Sequence, residues 1–464
     1  MNESFDLRGE VAIVTGGSQG LGKEMAKALA QHGALAQSQV IHNEGGNMKQ
    51  EKSTRKEISR RTFLKAAAAA GATTALTGRF FPARAAATPE IRIGLSLTYS
   101  GVYAMIAKRV ENGVRLAFAQ SQYKDQVKYF IEDTQGKPNV AIEKAQKLFD
   151  KEKIHILAGP IAGHESLAVS EMLRPKKKLM LLAYGANIKL CGESCSRYTF
   201  LCGHTTWNQG YPAVDWFLKT LGKNVYLIAA DYSTGHEIVK FFRESFEKKG
   251  GHVVGSFVSP LGTTEFAPYL AKIKSASPRP NGVAGFIGGN DLINFVKQYD
   301  EFGLHKENIP IIVGIGGFGG AMLPSMGDAA VGHYHLFHYS PWLENKENDA
   351  FKAAFAKMFP GEQLDDTVLL GFEVGTMMVK GLDYAGGNPE DTEKIIDGIE
   401  KVDYISPRGH IKMDPNHVAN VPIYIFQVQK KDGKLVLHTA AYTGNYGTPY
   451  GPDGPGGECR MATK

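Results

Sequence analysis

The chain reads as an α/β protein built of two doubly wound parallel-sheet lobes joined by three crossing segments, and three observations predict this. From Ile91 onward, short apolar runs of strand length alternate with helical stretches of roughly 10 to 15 residues, the pattern of a parallel sheet covered on both faces. That alternation runs through four strands, breaks near Cys202 and starts again. The 379 residues left when the first 85 are taken from 464 also exceed the size at which one hydrophobic core usually stops growing.

The first 87 residues stand apart from that pattern. Residues 11–15 (VAIVT) predict a strand, 16–22 (GGSQGLG) a glycine-rich turn and 23–31 the start of a helix, the order a dinucleotide-binding unit requires. The T-G-x-x-x-G-x-G spacing resembles the opening of a short-chain dehydrogenase/reductase. It stops after about forty residues: the unit needs a second strand and an acidic residue roughly 20 positions on, but the chain runs into Gly45-Gly46-Asn47 and a charged stretch. The Tyr-x-x-x-Lys pair of that family is absent from the whole chain. Residues 1–47 are therefore expected to be a non-functional fragment, with Met48 as the start of a working precursor.

Residues 59–65 (SRRTFLK), an Ala-rich core over 66–76 and the small-residue run at 83–87 (ARAAA) have the order of a secretory signal, and Arg60-Arg61 is its twin-arginine form. The core is too short and Ala-rich to span a bilayer, which needs about 20 apolar residues. Residues 48–87 are read as this signal region, cut after Ala85 or Ala87 to release a soluble periplasmic product. Much of the formal charge of +6 leaves with it, and the remainder has no basic stripe suited to nucleic acid. All four cysteines, Cys191, Cys195, Cys202 and Cys459, stay in the exported part, where pairing is permitted and three connectivities are open. Their spacing lacks a Cys-x-x-Cys pair, so no metal is expected. No cofactor is expected either.

In chain order, strands are predicted at 91–97, 127–133, 154–158 and 179–183, with helices at 103–121, 140–151 and 166–174 between them. After Cys202 come helix 210–220, strand 224–229, helix 235–249, strand 253–257, helix 266–274, strand 282–287, helix 291–302 and strand 309–313. The extended, His-rich run 331–340 (VGHYHLFHYS) leads to helices 349–358, 369–384 and 392–399, which are read as returning to cover the first lobe, then to extended segments at 410–412 and 422–429. Crossings are expected at 202–206, 335–340 and 416–421. Lobe 1 is thus 88–204 with 338–418, lobe 2 is 205–337 with 419–441, and 442–464 is a Gly/Pro-rich surface tail.

The runs at 93–103 (IGLSLTYSGVY), 156–166 (ILAGPIAGHES), 195–200 (CSRYTF), 225–237 (VYLIAADYSTGHE) and 286–290 (FIGGN) are similar, in order, to the type 1 periplasmic binding proteins of the branched-chain amino acid (Leu/Ile/Val-binding) ABC transporter kind. That resemblance covers nearly all of 91–429. It implies a ligand held between two lobes and delivered to a membrane permease, a monomer, and no catalysis. A ligand sensor uncoupled from transport is the alternative. An enzyme is not favoured: the exported part has no Gly-x-Ser-x-Gly elbow or His-Glu-x-x-His run beside its histidines, although His164 and Glu165 are expected in a cleft loop. The resemblance also implies a Cys191–Cys195 bridge before R-Y-T-F, which leaves Cys202 with Cys459.

Ligands of open α/β sheets sit beyond the carboxyl ends of the strands, where helix N-termini offer free N–H groups. Those ends carry Tyr99, Ser100 and Tyr103; Ile161, Ala162 and Gly163; Tyr184, Gly185 and Ala186; Tyr232 and Thr234; Asn290; and Gly316 and Phe318. Tyr99, Tyr103, Tyr184, Tyr232 and Phe318 are expected as aromatic walls, and Ser100, Tyr232 or Asn290 as polar contacts. Asp231 is expected to cap the helix that follows it. By alignment with the family, its two carboxylate-gripping hydroxyl positions fall on Gly163 and Ala186, a lobe-two tyrosine on Thr234, and the acidic partner of the ligand ammonium on Gly316. A buried ammonium without a partner costs several kcal/mol, so the expected ligand is a small hydrophobic or aromatic acid, amide or amino-acid-like compound, with a standard α-amino acid disfavoured.

Overall fold

A computed structural model describes residues 11–12, 35–36, 89–100, 104–184, 187–314, 317–319, 322–449 and 458–463. The chain divides into two compact units, residues 1–87 and 88–464. In the first, β1 (Val11–Ala12) pairs in parallel with β2 (Leu35–Ala36). The sequence reading missed this second strand because two residues carry no periodicity. The twin-arginine segment lies outside the described residues.

In the second unit the first sheet takes β3 (Ile91–Leu97), β4 (Val127–Asp133), β5 (Ile156–Ala158), β6 (Leu179–Leu182) and β7 (Thr199–Leu201), all parallel, in the order β4-β3-β5-β6-β7. Every second residue of a half-exposed strand should be polar, but β3, β5 and β6 are apolar nearly throughout and buried on both faces. Helices α1 (Ala104–Ala119), α2 (Pro138–Asp150) and α3 (Gly163–Leu173) connect them. The α3 helix begins a turn earlier than its sequence suggests, which puts His164 and Glu165 in the helix and not in a loop. Ala162 has no side-chain acceptor, so the cap is one-sided: the Glu165 carboxylate accepts the Ala162 N–H at 3.3 Å and the Thr98 hydroxyl at 3.2 Å.

The second sheet contains β8 (Asn224–Ala230), β9 (His252–Ser259), β10 (Gly282–Phe286), β11 (Ile311–Val313) and β12 (Tyr334–Phe337) in parallel; α4 (Ala213–Thr220) leads into β8, and α5 (Ser233–Lys248), α6 (Ala267–Lys274), α7 (Gly289–Glu301) and the short α8 (Leu323–Met326) connect the strands. The chain then crosses back to α9 (Lys346–Met358), α10 (Asp366–Tyr384) and α11 (Thr392–Glu400), and continues through β13 (Asp403–Ser406), β14 (Gly409–Met413), β15 (Ala419–Lys431) and β16 (Lys434–Tyr446). Helix α10 lies on α1 at backbone contact: a Cβ on Gly113 would stand 2.1 Å from the Val368 carbonyl oxygen, and one on Gly371 2.1 Å from that of Val110. Alanine at either position would force the helices apart.

Two parts of the expected layout are corrected. The strand β15 pairs antiparallel with β12, β14 and β16, so the β13–β14 hairpin joins the second sheet through residues assigned by sequence to lobe 1. Strand β16 runs through Tyr446, so the segment from 442 opens as paired strand and not as surface tail. The Asp432-Gly433 turn between β15 and β16, both residues at positive φ, is the hairpin signal that was passed over.

The expected disulfide pairing is also overturned. Cys195 bridges Cys459 and fastens the end of the chain to the start of β7, while Cys191 and Cys202 are buried thiols. Burial pushes both thiols well up from their usual range. Peptide mapping under non-reducing conditions should recover one bridged pair, 195 with 459, with the other two alkylated only after denaturation. The bridge spans 264 residues; chain-entropy arguments put its contribution at up to about 5 kcal/mol, so reduction should lower the urea midpoint. Recovery of a 191–195 peptide would restore the family-based pairing.

Candidate ligand cleft

The lobes meet at the carboxyl ends of both sheets. Strand β7 leaves the first sheet at Leu201 and the chain passes through residues 202–206; β12 leaves the second at Phe337 and passes through 338–345; the third passage, 414–418, leads into β15. Gly203 holds the first passage against the end of β6, since a Cβ there would fall 2.0 Å from the Ala183 carbonyl oxygen. The ring of the next residue, His204, meets Tyr184 edge-on at 5.5 Å and stacks on His338 of the second passage at 5.0 Å. Behind them Arg408, from the β13–β14 turn, donates to the Cys202 carbonyl at 3.2 Å and forms a fully buried ion pair with Glu373 of α10. Rings and a buried ion pair thus lock the first two passages and the β13–β14 turn at one place, while in the third passage His417 stacks on Phe200 of β7 at 3.9 Å.

On the lobe 1 side, Tyr99, Ser100, Ile161, Ala162, Gly163 and Tyr184 come together at the ends of β3, β5 and β6. Tyr99 is half-buried, and its hydroxyl donates to Glu111 at 3.2 Å. Ser100 is exposed, and Ile161 and Ala162 are buried. On the lobe 2 side, Tyr232 keeps 37% of its surface and packs edge-on to Phe286 at 5.4 Å, while Thr234 and Asn290 lie in the first turns of α5 and α7. Tyr103, Gly185, Ala186 and Gly316 lie outside the described residues.

Two expected roles fail, those of Phe318 and Asp231, and Tyr184 offers its ring alone. Phe318 is fully buried and packs on His333 at 5.8 Å, so it belongs to the core of lobe 2 and not to the cleft wall. Tyr184 presents its ring but not its hydroxyl, which donates to Asp366 at 2.9 Å and is also bonded to Thr367 at 3.1 Å. Asp231 does not cap α5; its carboxylate meets His236 at 2.9 Å.

Sequence reasoning missed the α10 N-terminus, where Asp365 caps the helix through the N–H groups of Thr367 and Val368 and pairs with Arg109. An Asp before an apolar helix is a readable cap signal, but nothing in the order of residues says that it lies beside Tyr184. Burial, and then the neighbouring Asp365 charge, push the Asp366 carboxyl up to about 7. Burial and then Arg408 pull His204 down to about 3 and His338 well below its usual range. Among the described residues no group of His, Cys, Asp and Glu is placed to hold a metal, and no helix is long and apolar enough to cross a membrane.

A cavity of about 810 Å³ lies at the opposite edge of lobe 1, beside the disulfide, lined by Arg174, Glu193, Arg197, Glu400, His417 and Arg460 among others. It is at the amino ends of β6 and β7, away from the convergent helix N-termini. The cleft is therefore placed by topology, not by cavity size.

A profile of the periplasmic binding protein family matches residues 90–434, and a twin-arginine translocation pathway signal sequence matches 57–77. The chain is 27% identical over 368 residues to the Leu/Ile/Val-binding protein homolog 6 of Brucella melitensis, covering 78% of this chain and 93% of that one. Among solved structures, it is similar to an ABC transporter substrate-binding protein from Sphaerobacter thermophilus, at 29% identity and a TM-score of 0.74 over 77% of this chain and 99% of that one. It is also similar to an R. palustris solute binding protein in complex with 4-hydroxybenzoate (26%, TM-score 0.69, 78% and 99% covered) and to one from Rhodopseudomonas palustris BisB5 with 3,4-dihydroxybenzoic acid (26%, 0.68, 77% and 98%). With a two-lobed α/β fold, a family match across both lobes and a twin-arginine signal ahead of them, the chain belongs to the periplasmic binding protein family and is exported to the periplasm.

Proposed function

We propose that the protein is the substrate-binding component of an ABC uptake transporter, a monomer that captures a small aromatic or hydrophobic acid and hands it to an inner-membrane permease. One observation carries the choice of ligand. The carboxylates that the described cleft loops bring near the strand ends are each bonded within their own lobe: Asp133 to the N–H groups of Tyr99 and Gln135, Glu165 to Ala162 and Thr98, Asp231 to His236, Asp366 to Tyr184. An α-ammonium entering the cleft would meet carboxylates already engaged, of which Glu165 keeps one buried oxygen, Oε1, without a partner; it would have to reach that oxygen, compete for an existing pair or stay unpaired, at several kcal/mol. A carboxylate finds backbone N–H groups at the starts of α3, α5 and α7, and a ring finds Tyr99, Tyr184 and Tyr232. The neighbours bound to hydroxybenzoates support the same ligand class.

Calorimetry on the exported protein should show benzoate or 4-hydroxybenzoate binding at least a thousandfold tighter than leucine, a difference of about 4 kcal/mol. Micromolar or tighter binding of leucine, isoleucine or valine, with the deaminated analogues inert, would establish an ammonium partner and sink this reading.

The amino-terminal segment is a dehydrogenase-like remnant without cofactor function. Its two described strands are two residues each, and the positions after β2 are Gln37 and Ser38, with no acidic side chain for a ribose hydroxyl. Titrating NAD or NADP into the full-length chain should give no heat of binding; saturation at micromolar cofactor would show otherwise.

A further inference from the structure

Donors outnumber acceptors where the first two passages meet the β13–β14 hairpin. Among the described residues, Nδ1 of His204, both ring nitrogens of His338, Nη1 of Arg408 and the Tyr404 hydroxyl are buried without a hydrogen-bond partner. Buried polar groups almost always find partners, so five such atoms in one place need an explanation. The acceptors at hand are already taken. Glu373 receives Arg408 through Nε at 2.9 Å and through Nη2, and the Ser406 hydroxyl at 2.8 Å; the Cys202 carbonyl receives Nη2 as well. The remaining walls are rings: Tyr184, Phe337 and, stacked behind Phe337 at 4.9 Å, His335. A guanidinium always has N–H to donate, and each neutral imidazole has one. The other nitrogen of each imidazole can accept, but the N–H and O–H groups still outnumber such acceptors, so the place is short of one.

We infer that His204, backed by His338 and Arg408, is the polar floor of the ligand cleft and receives the ligand's carboxylate. This rests on the acid-binding reading above and deepens it. His204 is the suited contact residue because it is only half-buried and lies under the ring of Tyr184, on the side where the strand ends open. His338 and Arg408 are fully buried behind it. A carboxylate on His204 adds one negative charge to a neutral Arg408–Glu373 pair and fills the missing acceptor. The aromatic body then lies against Tyr184 and Tyr232. Because His204 and His338 belong to different passages, the anion also bonds to the element that must bend when the lobes move.

The groups facing the two imidazoles are Arg408 from the β13–β14 turn, Glu373 from α10, Tyr404 from β13, Cys202 from the first passage, His335 from β12 and Tyr184, with Asp366 behind it. Arg408 disfavours an imidazolium here, and a bound carboxylate opposes that effect. With His204 held near 3 in the free protein, one carboxylate does not carry it into the range of pH 6 to 8, so the acid is held by the neutral imidazole's N–H and its affinity should be nearly the same at pH 6 and pH 8.

The test is calorimetry of the exported protein with benzoate and benzamide, at pH 6 and 8, in two buffers of different ionisation enthalpy, alongside the single variants His204→Gln and His338→Phe. Expected are benzoate affinities within about threefold of each other at pH 6 and pH 8 with an enthalpy that does not depend on the buffer, benzamide at least tenfold weaker than benzoate, and a loss of tenfold or more in His204→Gln with its melting temperature kept within a few degrees. Benzamide bound as tightly as benzoate would overturn the inference from the unmodified protein alone, whether or not a variant folds. Tight benzoate binding left intact in His204→Gln would overturn it while sparing the acid-binding reading. Failure of the unmodified protein to bind any aromatic acid would remove both.

Discussion

Replacing Arg408 with methionine is expected to cost the exported fold about 3–5 kcal/mol, because it leaves the Glu373 carboxylate buried without its counter-charge. Both side chains are fully buried, and among the described residues Glu373 is held by Arg408 and the Ser406 hydroxyl. Burial already raises the Glu373 carboxyl above its ordinary range, with Arg408 opposing the shift, so the orphaned group should take up a proton near neutral pH. Removing both charges together, as Arg408→Met with Glu373→Met, should recover much of the loss, since the desolvation of both ions disappears with them. Urea denaturation of the two single variants and the double variant measures the coupling. A single variant within about 1 kcal/mol of the parent would show that the pair is not shielded as the structure has it.

The second large effect is acid lability above the pH at which carboxylates titrate. Burial pulls His204 and His333 down to about 3 and His335 to about 4, and His338 lies well below its usual range. Each is neutral in the folded protein and titrates near 6.5 once unfolded. The unfolded state therefore binds more protons below pH 6.5, and the stability these groups contribute is complete above that pH and lost as the pH falls. Between pH 7 and pH 5 the loss is about 2 kcal/mol per imidazole. Asp366 works the other way: its folded value of about 7 returns roughly 2 kcal/mol over the same interval. The net loss should be on the order of 5 kcal/mol, seen as a lower urea midpoint at pH 5 than at pH 7 in the absence of ligand. A stability profile flat or rising from pH 7 to pH 5 would contradict it.

Much of the architecture was legible because a parallel sheet imposes its own pattern. Strands such as Ile91–Leu97 and Asn224–Ala230 must be apolar on both faces, and the helices between them must repeat at 3.6, so each was placed to within a few residues. Short or irregular pieces were not. Thr199–Leu201 is three residues long, and β13 and β16 are half-exposed strands whose alternation is weak. The start of α3 hid behind Gly163, which carries no cap side chain, so Glu165 was read as a loop residue when it is the cap.

The sequence by itself determined the export signal, the two-lobed sheet pattern and the strand ends at which a ligand can sit, because each is written in neighbouring residues. Tertiary structure alone decided which side chains those ends present. Phe318 turns into the core of lobe 2, the Tyr184 hydroxyl goes to Asp366 182 residues away, and Cys195 finds Cys459 across 264. The floor of the cleft is the clearest case. His204 lies in the first passage, His338 in the second and Arg408 in the β13–β14 turn, and neither the His-rich run 331–340 nor any spacing in the sequence tells that the three meet. Contacts between segments so far apart are fixed by packing of the whole fold, which no local period or spacing encodes.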